Sequence, residues 1–442
     1  MSHIKETIRL GIPIMLGQLG IIVVGFADNI MVGHHSTQEL AAASFVNNFF
    51  NLAFIFGMGF SYGLTPVIGN LFSQKEYGKI GAVLKNSLCI NLIVGILLSF
   101  CMLILLLNLD MLNQPRELYP YIIPYYILQL FSVIFAMLFN SFKQFSDGTT
   151  DTLTPMWIML SANILNICGN YILIYGNFGA PEMGLTGAGI STLCSRIFTF
   201  LIFCWLFLRS KHYRFYVKGF QNAKINRRSI NQLVHLGFPI GFQMGVESAS
   251  FSLSVIMIGW LGSIELAAYQ IASVITTLGF MMYYGIGAAV TIRVSTYKGQ
   301  GNYREIRKAA LAGLRIVAVC MIGYIAFLLL FRSRIGYLFT SEEDVVNLVA
   351  IFCWFVMLYQ CGDGLQIVFA NALRGITDVK YMARAAFFCH ICMALPIGYF
   401  CGFVLDWGAA GVWCGFPISL TTLGLLLCHR FFRLTKTVRD VG

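Results

Sequence analysis

Asp28, Glu247 and Asp363 interrupt long runs of apolar residues, and of the 19 acidic residues in the chain they alone fall well inside such runs. A carboxylate at the centre of a membrane-crossing helix costs about 2.5 to 3.5 kcal/mol on insertion scales, so three of them are not expected to face lipid. The chemistry open to them is cation or proton binding; the structural alternative is a neutral or hydrogen-bonded carboxylate that tightens helix packing. Tyr359 precedes Asp363 by four residues, one turn away on the same helical face. A carboxylate beside a phenol can hold a small cation or take up a proton. Asn166 and Asn170 repeat that spacing, and Thr192 lies on the next apolar run. With Asp28 they offer hard oxygen ligands suited to Na⁺, although each amide alone serves equally as interhelical glue. Arg196, mid-run, is expected to pair with a carboxylate or carbonyls or to act on substrate or ion directly. Arg315, nearer a run's end, can snorkel. His235 and His390 read as packed or interfacial groups.

These residues need helices that cross a bilayer. Hydrophobic residues make up 58% of the 442 and charged residues 11%, well below the roughly 25% of a soluble domain. That balance excludes a disordered chain, a secreted disulfide scaffold and an ordinary soluble enzyme. Twelve apolar segments are predicted, at about 10–32, 40–70, 82–107, 120–142, 153–175, 184–208, 233–260, 266–292, 309–331, 347–370, 382–403 and 409–429. Each approaches or exceeds the 20 residues that span a hydrocarbon core of about 30 Å. The second and eighth run long and are expected to tilt or project. The first is too long for a signal-peptide core.

The net charge of +11 lies in connectors between the apolar segments and is not gathered on one soluble face, which argues against a nucleic-acid partner. With the N-terminus in the cytoplasm, 25 Lys and Arg fall on inside segments and 3 on outside loops. That asymmetry predicts a multi-pass protein of the cell (inner) membrane with both termini cytoplasmic.

The halves repeat at an offset of 226 residues. Leu10-Gly11-x-Pro13-Ile14 returns as Leu236-Gly237-x-Pro239-Ile240, and Glu39-Leu40-Ala41-Ala42 as Glu265-Leu266-Ala267-Ala268. Six spans per half make the repeats parallel, with a pseudo-two-fold axis along the membrane normal. The expected organisation is a six-helix lobe at 1–208, a basic cytoplasmic linker at 209–232 and a second six-helix lobe at 233–442. The acids break the repeat: Asp28 aligns with Ser254, and Glu247 with Ile21.

Several motifs carry no chemistry. Gly59-Phe60-Ser61-Tyr62-Gly63 has the spacing of a hydrolase elbow but lies inside a helical run, where its glycines serve close packing, as do Gly237, Gly241 and Gly245. No P-loop is present. Cys389 and Cys392 form a C-x-x-C without a second pair, so no zinc or redox site is expected. The chain therefore reads as a non-enzyme without a cofactor. Among 38 Phe, 20 Tyr and 18 Met, a minority lining a cavity would suit flat lipophilic cations.

Leu10-Gly11-Ile12-Pro13, Gly25-Phe26-Ala27-Asp28-Asn29-Ile30-Met31-Val32-Gly33, Gly245-Val246-Glu247, and Asp363 followed by Ala372-Leu373-Arg374-Gly375 occur in that order over nearly the whole chain. In these the chain resembles the multidrug and toxic compound extrusion (MATE) family, and within it the NorM-type branch. The resemblance implies two six-helix bundles and cation-coupled drug efflux. It assigns Glu247 and Asp363, with Tyr359 nearby, to a second-lobe cation site, and Asp28, Asn166, Asn170 and Thr192 to a first-lobe site. Archaeal and DinF-like relatives place an Asp where Asn170 stands, which puts a strictly DinF-like proton site in doubt. Pro13 falls where the family has a proline proposed to bend the first helix.

The expected function is antiport: export of cationic or zwitterionic lipophilic small molecules in exchange for Na⁺ or H⁺, by a monomer in the lipid bilayer. The alternative is a flippase for a lipid-linked oligosaccharide or peptidoglycan precursor, whose cavity would be more cationic.

Overall fold

A computed structural model describes residues 3–112 and 115–437. Twelve long helices carry them: α1 (His3–His35), α2 (Thr37–Ser73), α3 (Tyr77–Leu107), α4 (Tyr119–Gly148), α5 (Leu153–Tyr175), α6 (Gly184–Arg209), α7 (Arg227–Gly259), α8 (Ser263–Gly299), α9 (Tyr303–Phe331), α10 (Glu343–Gly375), α11 (Val379–Val404) and α12 (Gly408–Thr437). No strand occurs among the described residues. Eleven of the twelve are long and apolar enough to cross a membrane by length and composition. The other, α7, is a 33-residue helix whose middle carries Gln243, Glu247 and four serines, Ser248, Ser250, Ser252 and Ser254. Its polar content, not a lack of length, sets it apart. The protein is an all-α, multi-pass membrane protein.

The long second and eighth spans are observed. Thr37–Ser73 and Ser263–Gly299 each run 37 residues, about 55 Å of helix against a core of about 30 Å. The helical hydrogen bonding of α2 is interrupted between Ser61 and Leu64, whereas α8 is one piece. Helix α1 continues through Pro13. Helix α11 is wider than expected, with π-helical turns at Phe388–Ala394 and Phe400–Val404. Such turns shift the register of a helix face and often mark functional positions.

The described residues pack as two compact units. One compact unit is Leu16–Gly241; the other joins the described residues up to Met15 to those from Phe242 onward. The first turns of α1 belong with the second unit because they satisfy its buried Arg293. That guanidinium donates to the His3 carbonyl at 2.8 Å, to Thr7 Oγ1 at 2.8 Å and to Glu6 Oε2 at 3.0 Å. A Cβ on Gly11 would sit 3.1 Å from the Gly285 carbonyl oxygen. The repeat-related contact lies in the first unit, where a Cβ on Gly237 would meet the Phe60 carbonyl oxygen. The linker is likewise part of the first unit and includes a helix at Arg214–Asn222.

Each unit has its own core. In the first, Phe142 stacks on Phe203, with centroids 5.1 Å apart, and Phe145, Phe207 and Tyr213 close around them. In the second, Trp413 is surrounded by Tyr269, Phe352, Tyr359 and Phe416. The repeat extends to hydrogen bonds. Thr65 donates to Gln144 at 2.6 Å, and its counterpart Thr291 donates to Asn371 at 2.9 Å.

Candidate functional site

Two polar clusters lie inside apolar helices, one in each unit. In the first, Asn170 donates from Nδ2 to Asp28 Oδ1 and, at 3.4 Å, to Asn166 Oδ1. Asn166 donates to Thr192 Oγ1 at 3.3 Å, and Thr192 donates to the Ala188 carbonyl at 3.0 Å. Helices α1, α5 and α6 thus bring Asp28, Asn166, Asn170 and Thr192 into one connected row. Asn170 is fully buried, and its Oδ1 accepts no hydrogen bond. An acidic oxygen with a free amide oxygen nearby is a donor set for a hard monovalent cation or, at Asp28, for a proton.

Arg196, one turn beyond Thr192, does not form an ion pair with a carboxylate. Its Nη1 donates to Ser132 Oγ at 2.6 Å and approaches Gln129 Oε1 at 3.5 Å, while its guanidinium lies 4.1 Å from the Phe54 ring centroid. Hydroxyl, amide and ring take the place of the carboxylate or carbonyl partner expected from sequence. Tyr125 adds a hydrogen bond to Asn47 at 3.0 Å on the neighbouring helices.

The second cluster is built by α7, α8, α10 and α11. Glu247 accepts from Gln366 Nε2, at 3.3 and 3.4 Å to its two oxygens, and from Gln243 Nε2 at 3.3 Å. Gln243 in turn accepts from Arg374 Nη2 at 2.7 Å. Asp363 is fully buried, and neither carboxylate oxygen has a hydrogen-bond partner. On α10, Asp363 lies one turn from Tyr359 and one turn from Gln366, the donor to Glu247. No hydrogen bond joins Tyr359 to Asp363; Tyr359 packs against Phe251 and Trp413. Around them Tyr283 Oη, Gln360 Oε1, Gln366 Oε1, His390 Nε2 and Trp413 Nε1 are also buried without partners. Buried polar groups are almost always paired, because each unpaired one forfeits its hydration. A buried carboxylate lacking partners on both oxygens is the strongest such exception here, and binding a proton or small cation resolves it.

The MatE family model matches residues 13–172 and 239–400, two segments whose starts lie 226 residues apart. The chain belongs to the MATE family. It is 30% identical over 444 residues to multidrug resistance protein NorM of Vibrio cholerae, covering 99% of this chain and 97% of that protein. It is also 30% identical over 448 residues to multidrug resistance protein PmpM of Pseudomonas aeruginosa, covering 98% and 92%. The near-full-length NorM relatives place it in the NorM branch. Its fold is that of the crystal structure of MATE in the bent conformation, with a TM-score of 0.88 at 21% identity over 100% of this chain and 97% of that one. The eukaryotic MATE transporter AtDTX14 gives 0.87 at 18% identity, covering 99% and 98%.

In this MATE chain the other sequence-nominated residues separate clearly. His235 and Arg315 are exposed, whereas His390 is buried with Nδ1 3.5 Å from Ser250 Oγ. Ser61 is buried in a helix and donates to Asn91 Oδ1 at 2.7 Å, which leaves the hydrolase-like motif without a strand-to-helix turn. Cys389 is buried while Cys392 is exposed, and among the described residues no three of His, Cys, Asp or Glu form a metal-holding group. Gln129, Ser132, Gln243, Tyr283, Gln360 and Gln366 escaped the sequence reading. Their signal was present in part: Gln243 precedes Glu247 by four residues, and Gln366 follows Asp363 by three, both on the acid's own helical stripe.

Proposed function

We propose that this protein is a secondary multidrug efflux antiporter of the inner membrane, exporting cationic or zwitterionic lipophilic compounds in exchange for Na⁺ or H⁺. The observation that carries the reading is Asp363, fully buried with both carboxylate oxygens unpartnered, beside Glu247, which is held by two glutamines. The multidrug-resistance names of the NorM and PmpM relatives support the substrate class. Cation or proton arriving at Asp363 removes the cost of a bare buried charge, and the Asp28 row offers a second such place. Binding drives transport only through a difference in affinity between the two access states, so the ion biases one state and the drug the other. Both termini lie in the cytoplasm in this scheme, and the working unit is the monomer.

The flippase alternative is less well supported. A pyrophosphate headgroup calls for clustered free cations, yet Arg196 is already engaged by Ser132, Gln129 and Phe54.

Uptake of a fluorescent cation into inside-out vesicles tests the proposal, with Na⁺ added or the pH gradient collapsed. Release on adding Na⁺ identifies Na⁺ as the coupling ion, and release only on collapsing the pH gradient identifies H⁺. Asp363→Asn should reduce either response by about tenfold or more, since one lost charge interaction of a few kcal/mol exceeds the 1.4 kcal/mol of a decade. Dye movement at the wild-type rate in both Asp363→Asn and Asp28→Asn would sink the mechanism, and no movement at all in the wild type would sink the efflux reading.

A further inference from the structure

We propose that residues 209–228 form a rigid docking surface for the headgroups of anionic phospholipids. Within these 20 residues stand Arg209, Lys211, Arg214, Lys218, Lys224, Arg227 and Arg228, with no Asp or Glu. All seven basic residues are exposed. Two apolar side chains lie open among them, Phe215 at 65% and Ile225 at 59% exposure. A set of basic residues interleaved with exposed apolar ones matches the boundary between headgroups and acyl chains. A soluble polyanion would have no use for the two apolar groups.

The surface is held in place, which distinguishes it from a flexible charged loop. Tyr213 and Tyr216 point inward and are buried; Arg214, Phe215 and Lys218 point outward. Gly81 sits against the Tyr216 carbonyl and Gly219 against Gly78, so the helix Arg214–Asn222 meets the start of α3 backbone to backbone. Lys85 donates to the Ala223 carbonyl at 2.7 Å, and the Asn226 amide donates to Asn86 Oδ1 at 2.7 Å. Tyr77 closes the seat from α3, 5.7 Å from Tyr216 and 6.0 Å from Phe215 by ring centroid.

The acids on the adjoining elements are already engaged. Asp151 Oδ2 accepts from the Tyr213 hydroxyl at 2.6 Å and lies 3.9 Å from His212 Nε2, while Glu76 pairs with Lys79 at 2.7 Å. The outward charge is therefore left for an external anion. The surface begins at Arg209, the last residue of α6, where the apolar run of that helix ends.

The test uses the full-length protein purified in a neutral detergent, mixed with equal phosphatidylglycerol and phosphatidylcholine, and read by native mass spectrometry. The wild type should retain phosphatidylglycerol preferentially. The variant K211Q/R214Q/K218Q/K224Q should retain about fivefold less or lower still, and K211R/K218R/K224R should match the wild type. F215S/I225S, which keeps every charge, should also lose lipid, and it guards against misfolding of the charge variant. Equal phosphatidylglycerol on wild type and glutamine variant would overturn the proposal, as would equal retention of the two lipids by the wild type. Stripping of phosphatidylglycerol by millimolar inorganic phosphate would overturn it in favour of a free-anion site. None of these readings depends on which ion drives transport.

Discussion

Asn170 illustrates how one side chain converts nearby polar groups into a potential ligand set. Its amide protons go to Asp28 and Asn166, which leaves its own oxygen as a buried acceptor. Asn170→Leu keeps the volume and removes both functions, so the ion concentration for half-maximal dye release should rise about tenfold, equivalent to 1.4 kcal/mol. Asn170→Asp should retain ion response while shifting its pH profile; an unchanged midpoint in Asn170→Leu would remove the first-unit row from the ion pathway. A different residue-scale effect is expected at Lys143 and Asp147, a buried ion pair 2.9 Å apart near the end of α4. Truncating one partner strands the other, so Asp147→Ala should cost about 3–5 kcal/mol, whereas K143M/D147L should cost much less. Thermal unfolding of the purified variants separates the two outcomes.

At the scale of elements, glycine decides where helices meet. A Cβ on Gly81 would overlap the Tyr216 carbonyl, a backbone atom that no side-chain rotation can move. Gly81→Leu should therefore unseat and fray the Arg214–Asn222 helix, so that trypsin cleaves faster after the already exposed Arg214 and Lys218, while the dye-release midpoint for ion stays within twofold. Proteolysis at the wild-type rate would show that the seat adapts. The same seat carries a pH signature: burial, with smaller help from Tyr77 and Asp151, pushes the Tyr216 hydroxyl up to about 12. A folded value raised above the ordinary 10.0 means the packing is fully stable below about pH 10 and weakens as pH climbs toward about 12. Tyr216→Phe should flatten the fall in unfolding temperature over that window, and parallel curves for the two proteins would refute it.

For the whole molecule, duplication supplied two similar scaffolds and substitution made them chemically unlike. Thr65 with Gln144 and Thr291 with Asn371 preserve one hydrogen bond in both halves. At Asp28 and Ser254, and at Ile21 and Glu247, the halves differ, and in each case the acid sits in its unit's polar cluster. The 25-to-3 distribution of basic residues predicts that reporter domains fused at either terminus stay on the cytoplasmic side. A periplasmic signal from either fusion would overturn that orientation.

Sequence alone determined the membrane class, the twelve helices, the duplication and the embedded acids, because each depends on local composition or on spacing along one helix. An apolar run must be helical in lipid, and a charge inside it is conspicuous wherever it packs. Tertiary structure alone decided which polar groups meet. Gln366 reaches Glu247 across 119 positions and Asn170 reaches Asp28 across 142, distances that no periodicity encodes. It also placed the first turns of α1 in the unit that begins at Phe242, since buried Arg293 needs the oxygens that His3, Glu6 and Thr7 supply. The difference is physical: hydropathy is a property of a segment, whereas satisfying a buried polar atom is a property of whichever helices close around it.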